Sequence, residues 1–187
     1  MILSIVIPVY NSENILDDLI NQISLEIKKK TNLLKDFEII LVNDNSLDNS
    51  WNKIKEIANS QKNIIGINLS KNFGQHNALM AGIKNSKGDF LITMDDDLQH
   101  PPSYIIDIIN KLSEGFDVCY TKYQNNKYSF LKKLGSTIND RVANIVLGKP
   151  KNIYLSSYRG IKRNVINELK KFDGPYVYLD GIILNVT

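Results

Sequence analysis

Three short polar segments hold the residues whose types and spacing suit chemistry. They are Pro8-Val-Tyr-Asn-Ser-Glu13, Asn43-Asp-Asn-Ser-Leu-Asp48 and Asp95-Asp-Asp-Leu-Gln-His100. The third is the sharpest. Three adjacent carboxylates repel one another, and a hard cation relieves that repulsion. Oxygen ligands suit Mg²⁺ or Mn²⁺. Alternate residues of an extended segment point the same way, so Asp95 and Asp97 are expected to share a direction while Asp96 faces elsewhere. A cation held there would neutralise a diphosphate and stabilise the charge developing on it as a leaving group. Any one of these segments alone is a turn or helix cap as readily as a site, because Asp and Asn favour both. Three of them, each directly after an apolar run, are harder to read as turns alone.

Other residues give weaker signals. Lys71-Asn-Phe-Gly-Gln75 joins a cation to a glycine that permits close backbone approach, which suits phosphate. Neither a P-loop nor a Gly-x-Gly-x-x-Gly is present, which argues against an ordinary NTPase or a dinucleotide dehydrogenase. His76 and His100 lack metal-ligand spacing to each other. His76 is expected to pack or cap its helix, and His100 to sit in a loop. The single Cys119 excludes an internal disulfide and fits a reducing compartment; its apolar surroundings read as a buried structural thiol. After Thr121, Lys122, Lys127, Lys132, Lys133, Lys149, Lys151, Arg159, Lys162 and Arg163 interleave with Tyr123, Tyr128, Phe130 and Tyr158. This pattern fits an anionic lipid or a phosphate, and equally a solvated basic face.

The elements that must position these residues are legible as alternating periodicities. Leu3–Val9, Phe37–Val42, Ile64–Leu69, Phe90–Met94 and Phe116–Thr121 are apolar runs of strand length, and Phe37–Val42 is continuous as in a strand buried on both faces. Between them lie helical patterns. Ile15, Leu19, Ile20, Ile23 and Ile27 form the first, capped by Asn11 or Ser12. Trp51, Ile54 and Ile57 mark the second. The third runs from Gln75 to Asn85 with Ala78, Leu79 and Ile83 inward. Pro101–Pro102 starts the fourth, with Ile105, Ile106, Ile109 and Leu112. The alternation predicts a mostly parallel central sheet with helices on both faces, whose ligands gather at the carboxyl ends of the strands. After Thr121 the pattern changes. Leu131, Leu134, Ile138, Val142, Ile145 and Val146 outline a longer helix, and Leu155–Arg159 a further strand.

The 187 residues suit one domain, with 1–121 forming one part and 122–187 a distinct second part. A net charge of +3 is too mild to argue for nucleic acid. The N-terminus has no basic n-region and Pro8 breaks it, so it is not a signal peptide. No stretch approaches the roughly 20 apolar residues that cross a bilayer. The chain reads as soluble or peripheral, and its apolar ending reads as a chain cut short.

The three strand ends together resemble family 2 glycosyltransferases of GT-A fold, most of all the polyprenyl-phosphate branch. Ile5-Val-Ile-Pro-Val-Tyr-Asn-Ser-Glu13 is similar to that family's opening strand and turn. Glu38-Ile-Ile-Leu-Val-Asn-Asp-Asn-Ser-Leu-Asp48 is similar to its second motif, usually Asp-Asp-Gly-Ser-x-Asp. Met94-Asp-Asp-Asp-Leu-Gln-His-Pro-Pro102 matches Asp-x-Asp-Leu-Gln-His-Pro-Pro almost throughout, and Ser156-Ser-Tyr-Arg-Gly-Ile-Lys-Arg163 resembles a later segment. The resemblance implies that Pro8, Tyr10, Glu13 and Asp44 hold the nucleoside, Asp44 on its base, with Lys71 and Asp96 completing the nucleotide-sugar site. It implies Asp95 and Asp97, assisted by Gln99, at an Mg²⁺ or Mn²⁺ ion. Asp95, Asp97 and Arg159 would be catalytic, and Lys122, Lys132, Lys133 and Arg159 would meet an acceptor phosphate.

The activity so implied is inverting, metal-dependent transfer from a nucleoside-diphosphate sugar, UDP-linked, to polyprenyl phosphate. It would take place at the cytoplasmic face of the inner membrane, against the membrane surface and without nucleic acid, and a homo-oligomer is compatible with it. Two rivals stand beside it: a soluble family 2 enzyme acting on a sugar hydroxyl in surface polysaccharide synthesis, and an incomplete nucleotide-binding domain without turnover. The chain departs from the pattern at Asn43 and Asn45, which replace an Asp and a Gly, and at Asp96, often Ala. Ser157 stands where some relatives carry an Asp proposed as base. A phosphate monoester, largely ionised with a second pKa of about 6, attacks without a strong base; a sugar hydroxyl does not. The missing Asp therefore favours a phosphate acceptor, with Asp180 the fallback base.

Overall fold

The computed structural model describes residues 1–29, 34–122 and 154–187. Six strands form one sheet in the order β3-β2-β1-β4-β6-β5. They are β1 (Ile2–Val9), β2 (Asp36–Asn43), β3 (Ile64–Asn68), β4 (Phe90–Thr93), β5 (Val118–Tyr120) and β6 (Arg159–Lys162). β1 to β4 run parallel, as the alternation predicts. β6 enters antiparallel between β4 and β5. Arg159–Lys162 thus joins the same sheet as the strands from the first 121 residues.

Strand alternation assigns the two faces. Leu3, Ile5, Ile7 and Val9 of β1 pack with α1 (Leu16–Lys28), α2 (Ser50–Ser60) and α4 (Ile105–Ser113). Val6 of β1, with Ile40 and Val42 of β2, packs with α3 (Gln75–Asn85), α5 (Arg163–Lys170) and α6 (Leu179–Val186). Each fully buried Leu or Ile contributes about 1.5–3 kcal/mol, and this burial holds the helices on the sheet. Gly82 lets α3 lie close: a Cβ there would come 2.3 Å from Val6 Cγ1. That approach helps fix where the N-terminus of α3 stands.

Three local expectations are corrected. The first helix begins at Leu16 with no side-chain cap, not at Asn11 or Ser12. Asn11 adopts a φ of 56° and its Oδ1 accepts the Leu47 N–H at 2.8 Å, so this polar turn joins two loops instead of capping a helix. The strand expected at Leu155–Arg159 lies at Arg159–Lys162. Its pattern is masked because charged residues bound it and Gly160 occupies its centre. A Cβ at Gly160 would meet Ile108 Cγ2 at 2.2 Å, so glycine is what admits α4. Cys119 is half-buried rather than buried, and burial pushes its thiol up, away from nucleophilic use. The helix expected around Leu131–Val146 lies outside the described residues, as do Lys132 and Lys133. Among the described residues no helix is long and apolar enough to cross a membrane.

Candidate active site

β2 pairs on one side of β1 and β4 on the other, so the parallel strands change direction of winding between β1 and β4. A crevice opens at such a switch, at the carboxyl ends of the strands. A cavity of about 340 Å³ occupies it. Its walls come from Pro8 at the end of β1 and Tyr10 after it, Asp44 after β2, Asn72, Gly74 and Gln75 before and within α3, and Asp95, Asp96 and Asp97 after β4. The three motifs thus converge, and the volume lies in the range of small-ligand sites.

The acidic triplet is not three equivalent carboxylates. Asp95 accepts from Gln75 Nε2 on Oδ1 at 2.6 Å and from Ser157 Oγ on Oδ2 at 2.7 Å. Asp96 turns to the loop after β1, where Oδ2 accepts the Tyr10 N–H at 3.1 Å and the Ser12 hydroxyl. Burial pushes the Asp96 carboxyl above its usual range, although these donors oppose the shift. Asp97 is exposed; its Oδ1 accepts the Gln99 N–H at 3.0 Å. Asp95 and Asp97 are the members whose charge faces the cavity without that loop's claim on it.

His100 underpins the triplet. It is buried, and its Nδ1 accepts the Asp95 N–H at 2.9 Å. Burial lowers its pKa against the opposing pull of Asp95 and Asp97, so the neutral ring carries its proton on Nε2. Its ring stacks on Tyr158 at 5.1 Å, and the Tyr158 hydroxyl donates to the Pro101 carbonyl.

Asp44 is 4% exposed and accepts the Phe73 and Gly74 N–H groups at 2.7 and 2.9 Å. It shapes the loop before α3 as well as lining the cavity. Asn45 adopts a φ of 56°, a conformation that Gly takes freely and Asn tolerates, which accounts for Asn at a position where the family motif has Gly. The Asn43 amide donates to Asn68 Oδ1 at 2.6 Å, tying β2 to β3.

Not every expected site residue reaches the cavity. Glu13 lies behind its wall: Oε2 accepts the Asn49 N–H at 2.7 Å, and Asp48 accepts the Glu13 N–H at 3.1 Å. Lys71 is exposed, with Nζ 4.9 Å from the Phe73 ring centre. Gln99 is exposed and bonds Asp97 through its backbone. Lys122 lies by a second cavity of about 330 Å³ at β5, with Lys111, Phe116 and Tyr154. Arg159 is 2% exposed and ion-paired with Asp180; among the described residues its buried Nε has no partner. Residue typing missed Gln75 and Ser12 as partners of the acidic triplet. The one available signal for Gln75 was its place directly after a glycine in the Lys71–Gln75 segment.

The donor set fits a divalent ion in one specific way. Among the described residues no group of three His, Cys, Asp or Glu side chains is arranged to hold a metal by protein ligands alone. Mg²⁺, and Mn²⁺ like it, is commonly held by one or two carboxylates with waters and substrate phosphates. Asp95 and Asp97 beside a cavity supply that half of a coordination sphere.

The model of the family described as "Glycosyl transferase family 2" matches residues 4–170. Undecaprenyl-phosphate 4-deoxy-4-formamido-L-arabinose transferase of Proteus mirabilis (strain HI4320) is 37% identical over 167 residues, 89% of this chain and 50% of that protein. The chain thus spans half the length of that curated relative. Among solved structures, glucosyl-3-phosphoglycerate synthase from Mycobacterium tuberculosis, in complex with Mn²⁺, UDP and phosphoglyceric acid, aligns with a TM-score of 0.65 at 17% identity. The alignment covers 89% of this chain and 57% of that one. S. aureus TarS 1-349 aligns with a TM-score of 0.61 at 20% identity, over 98% of this chain and 53% of that one. These structural neighbours carry the GT-A fold, and with the sequence match and the strand-end motifs converging on one crevice, the chain belongs to glycosyl transferase family 2.

Proposed function

We propose that this chain is the catalytic part of an inverting glycosyltransferase. It moves a sugar from a nucleoside-diphosphate sugar, UDP-linked, to polyprenyl phosphate, with Mg²⁺ or Mn²⁺ at Asp95 and Asp97. The observation that carries the reading is the pair of carboxylates on one wall of a cavity whose other walls are the strand-end loops after β1, β2 and β3. Tyr10 offers a ring to the nucleoside, and Asp44 holds the Gly74 loop against it. The relative's name supports a polyprenyl phosphate acceptor, and the neighbours' complexes support UDP and Mn²⁺. The reaction belongs at the cytoplasmic membrane face.

An acceptor phosphate oxygen forms the new bond to the anomeric carbon as the bond to the diphosphate oxygen breaks. The electron pair leaves with the nucleoside diphosphate, and the configuration inverts. The divalent ion supplies charge stabilisation of that leaving group. Asp95 and Asp97 orient the diphosphate end of the donor, and Lys122, Lys132, Lys133 and Arg159 are the residues assigned to the acceptor phosphate. A hydroxyl acceptor would need a base, and Asp180 is poorly free for that. It is 8% exposed and holds Arg159 and the Tyr120 hydroxyl.

The test incubates the purified chain with Mn²⁺ or Mg²⁺, radiolabelled UDP- and GDP-sugars, and undecaprenyl phosphate. Label is expected in the lipid phase with a UDP-sugar, and is lost in Asp97→Ala. Transfer that proceeds without divalent metal, or undiminished in Asp97→Ala, sinks the assigned metal role.

A further inference from the structure

We propose that Ser157 and Gln75 are positioning residues that fix the two oxygens of Asp95 for a divalent cation, so that metal affinity depends on β6 as well as on the strand that carries the acidic triplet. The inference rests on the metal reading of Asp95 and Asp97 above.

The geometry is specific. Antiparallel pairing sets Thr93 opposite Arg159, and the Thr93 hydroxyl donates to the Ser157 carbonyl at 2.6 Å. Two further residues along each chain bring Asp95 opposite Ser157, whose hydroxyl donates to Asp95 Oδ2 at 2.7 Å. Gln75, the first residue of α3, donates to the other oxygen at 2.6 Å. His100 closes the arrangement. Because its Nδ1 accepts the Asp95 N–H, its Nε2 carries the proton, 3.5 Å from Ser157 Oγ and 3.6 Å from Asp95 Oδ2.

The chemistry follows from what these donors are. A terminal carboxylate torsion is broad and roughly two-fold, so an unsupported Asp95 would rotate away from Asp96 and Asp97. One donor on each oxygen stops that rotation and leaves a further lone pair on each oxygen for a cation. Gln75, Ser157 and the neutral His100 ring carry no charge, so they orient the carboxylate without cancelling it. An Asp at position 157 would set a second anion against Asp95. Serine converts that contact into a donor. Partners of this kind around metal ligands commonly change metal affinity 10–100-fold.

The test measures Mn²⁺ binding to the full chain by electron paramagnetic resonance, with UDP present, alongside UDP binding without metal. Ser157→Ala and Gln75→Ala are each expected to raise the Mn²⁺ dissociation constant about 10-fold or more. UDP binding without metal stays as in the unsubstituted chain in Ser157→Ala, and Ser157→Thr, which keeps the hydroxyl, restores Mn²⁺ affinity. Binding that is lost in Asp97→Ala but unchanged in Ser157→Ala and Gln75→Ala overturns this inference alone. So does a Ser157→Thr variant as weak as Ser157→Ala. An unsubstituted chain that binds no Mn²⁺ overturns the metal reading and this inference together.

Discussion

Asp180 on α6 holds the buried guanidinium of Arg159 on β6, and its Oδ1 also accepts the Tyr120 hydroxyl of β5 at 3.2 Å. Arg159 Cζ lies 5.7 Å from the Tyr120 ring centre. Burial first, then the Asp180 charge, pushes the Tyr120 hydroxyl well above its usual range, so it serves as a donor and not as an acid. One ion pair, with the Tyr120 hydroxyl beside it, thus ties the two strands at this edge of the sheet to the start of α6.

Removing one member of that pair should cost more than replacing both. Asp180→Ala strands a buried cation and is expected to lose about 3–5 kcal/mol. The double substitution Arg159→Met with Asp180→Leu is expected to lose less than Asp180→Ala alone, because no charge remains to be buried. Urea unfolding followed by circular dichroism measures both. A double variant less stable than Asp180→Ala contradicts this account of the pair.

The unequal environments of the triplet predict unequal losses. Asp97→Ala and Asp95→Ala should abolish divalent-dependent UDP binding, each removing one of the two carboxylates assigned to the metal. Asp96→Asn should retain most of it. The amide oxygen still accepts from Tyr10 and Ser12, and burial already disfavours the charge it removes. Calorimetric titration with UDP, with and without Mn²⁺, separates the three.

His76 links the start of α3 to the start of α6. Its Nδ1 accepts the Leu179 N–H at 3.4 Å, and its ring meets Tyr178 edge-on at 5.4 Å. Burial lowers its pKa below the usual 6.5, partly opposed by Asp180. The native state then binds this proton less readily than the unfolded chain does. Its contribution is therefore complete above pH 6.5 and declines as the pH falls from there towards the lowered native value. His76→Asn, which offers an acceptor that does not titrate in this range, should flatten that decline. Melting temperatures between pH 7.5 and 5 provide the check; equal slopes for the two proteins would count against it.

Gly82→Ala places a methyl 2.3 Å from Val6 Cγ1 and 3.2 Å from Val42 Cγ2. Overpacking of this kind costs about 1–3 kcal/mol. Because relief requires α3 to lift from β1, Gln75 should move with it, and Mn²⁺ binding should weaken beyond what the loss of stability explains. Gly74 has open space at its Cβ, but its φ is 86°, so Gly74→Ala strains the backbone instead. Comparing melting temperature with Mn²⁺ affinity in the two variants distinguishes displacement from strain.

The sequence by itself determined the parallel strands, the bounds of α3 and the three polar strand ends. Those signals are local: continuous apolar runs mark buried strands, and the helical period from Gln75 to Asn85 needs no partner to be read. The distinct place of Asp96 comes from its bonds to Tyr10 and Ser12 in a bent segment, where strand alternation does not apply. Only the tertiary structure decided what each polar side chain does. β6 enters the sheet between β4 and β5, a placement that no periodicity encodes, and its register brings Ser157 to Asp95 across 62 positions of sequence. The same holds for Glu13, which bonds the Asn49 amide, and for Asp44, which holds the Phe73 and Gly74 amides. A hydrogen bond depends on where two groups stand in space, and for residues far apart in the chain that is settled by how the strands pair and how the helices pack on them.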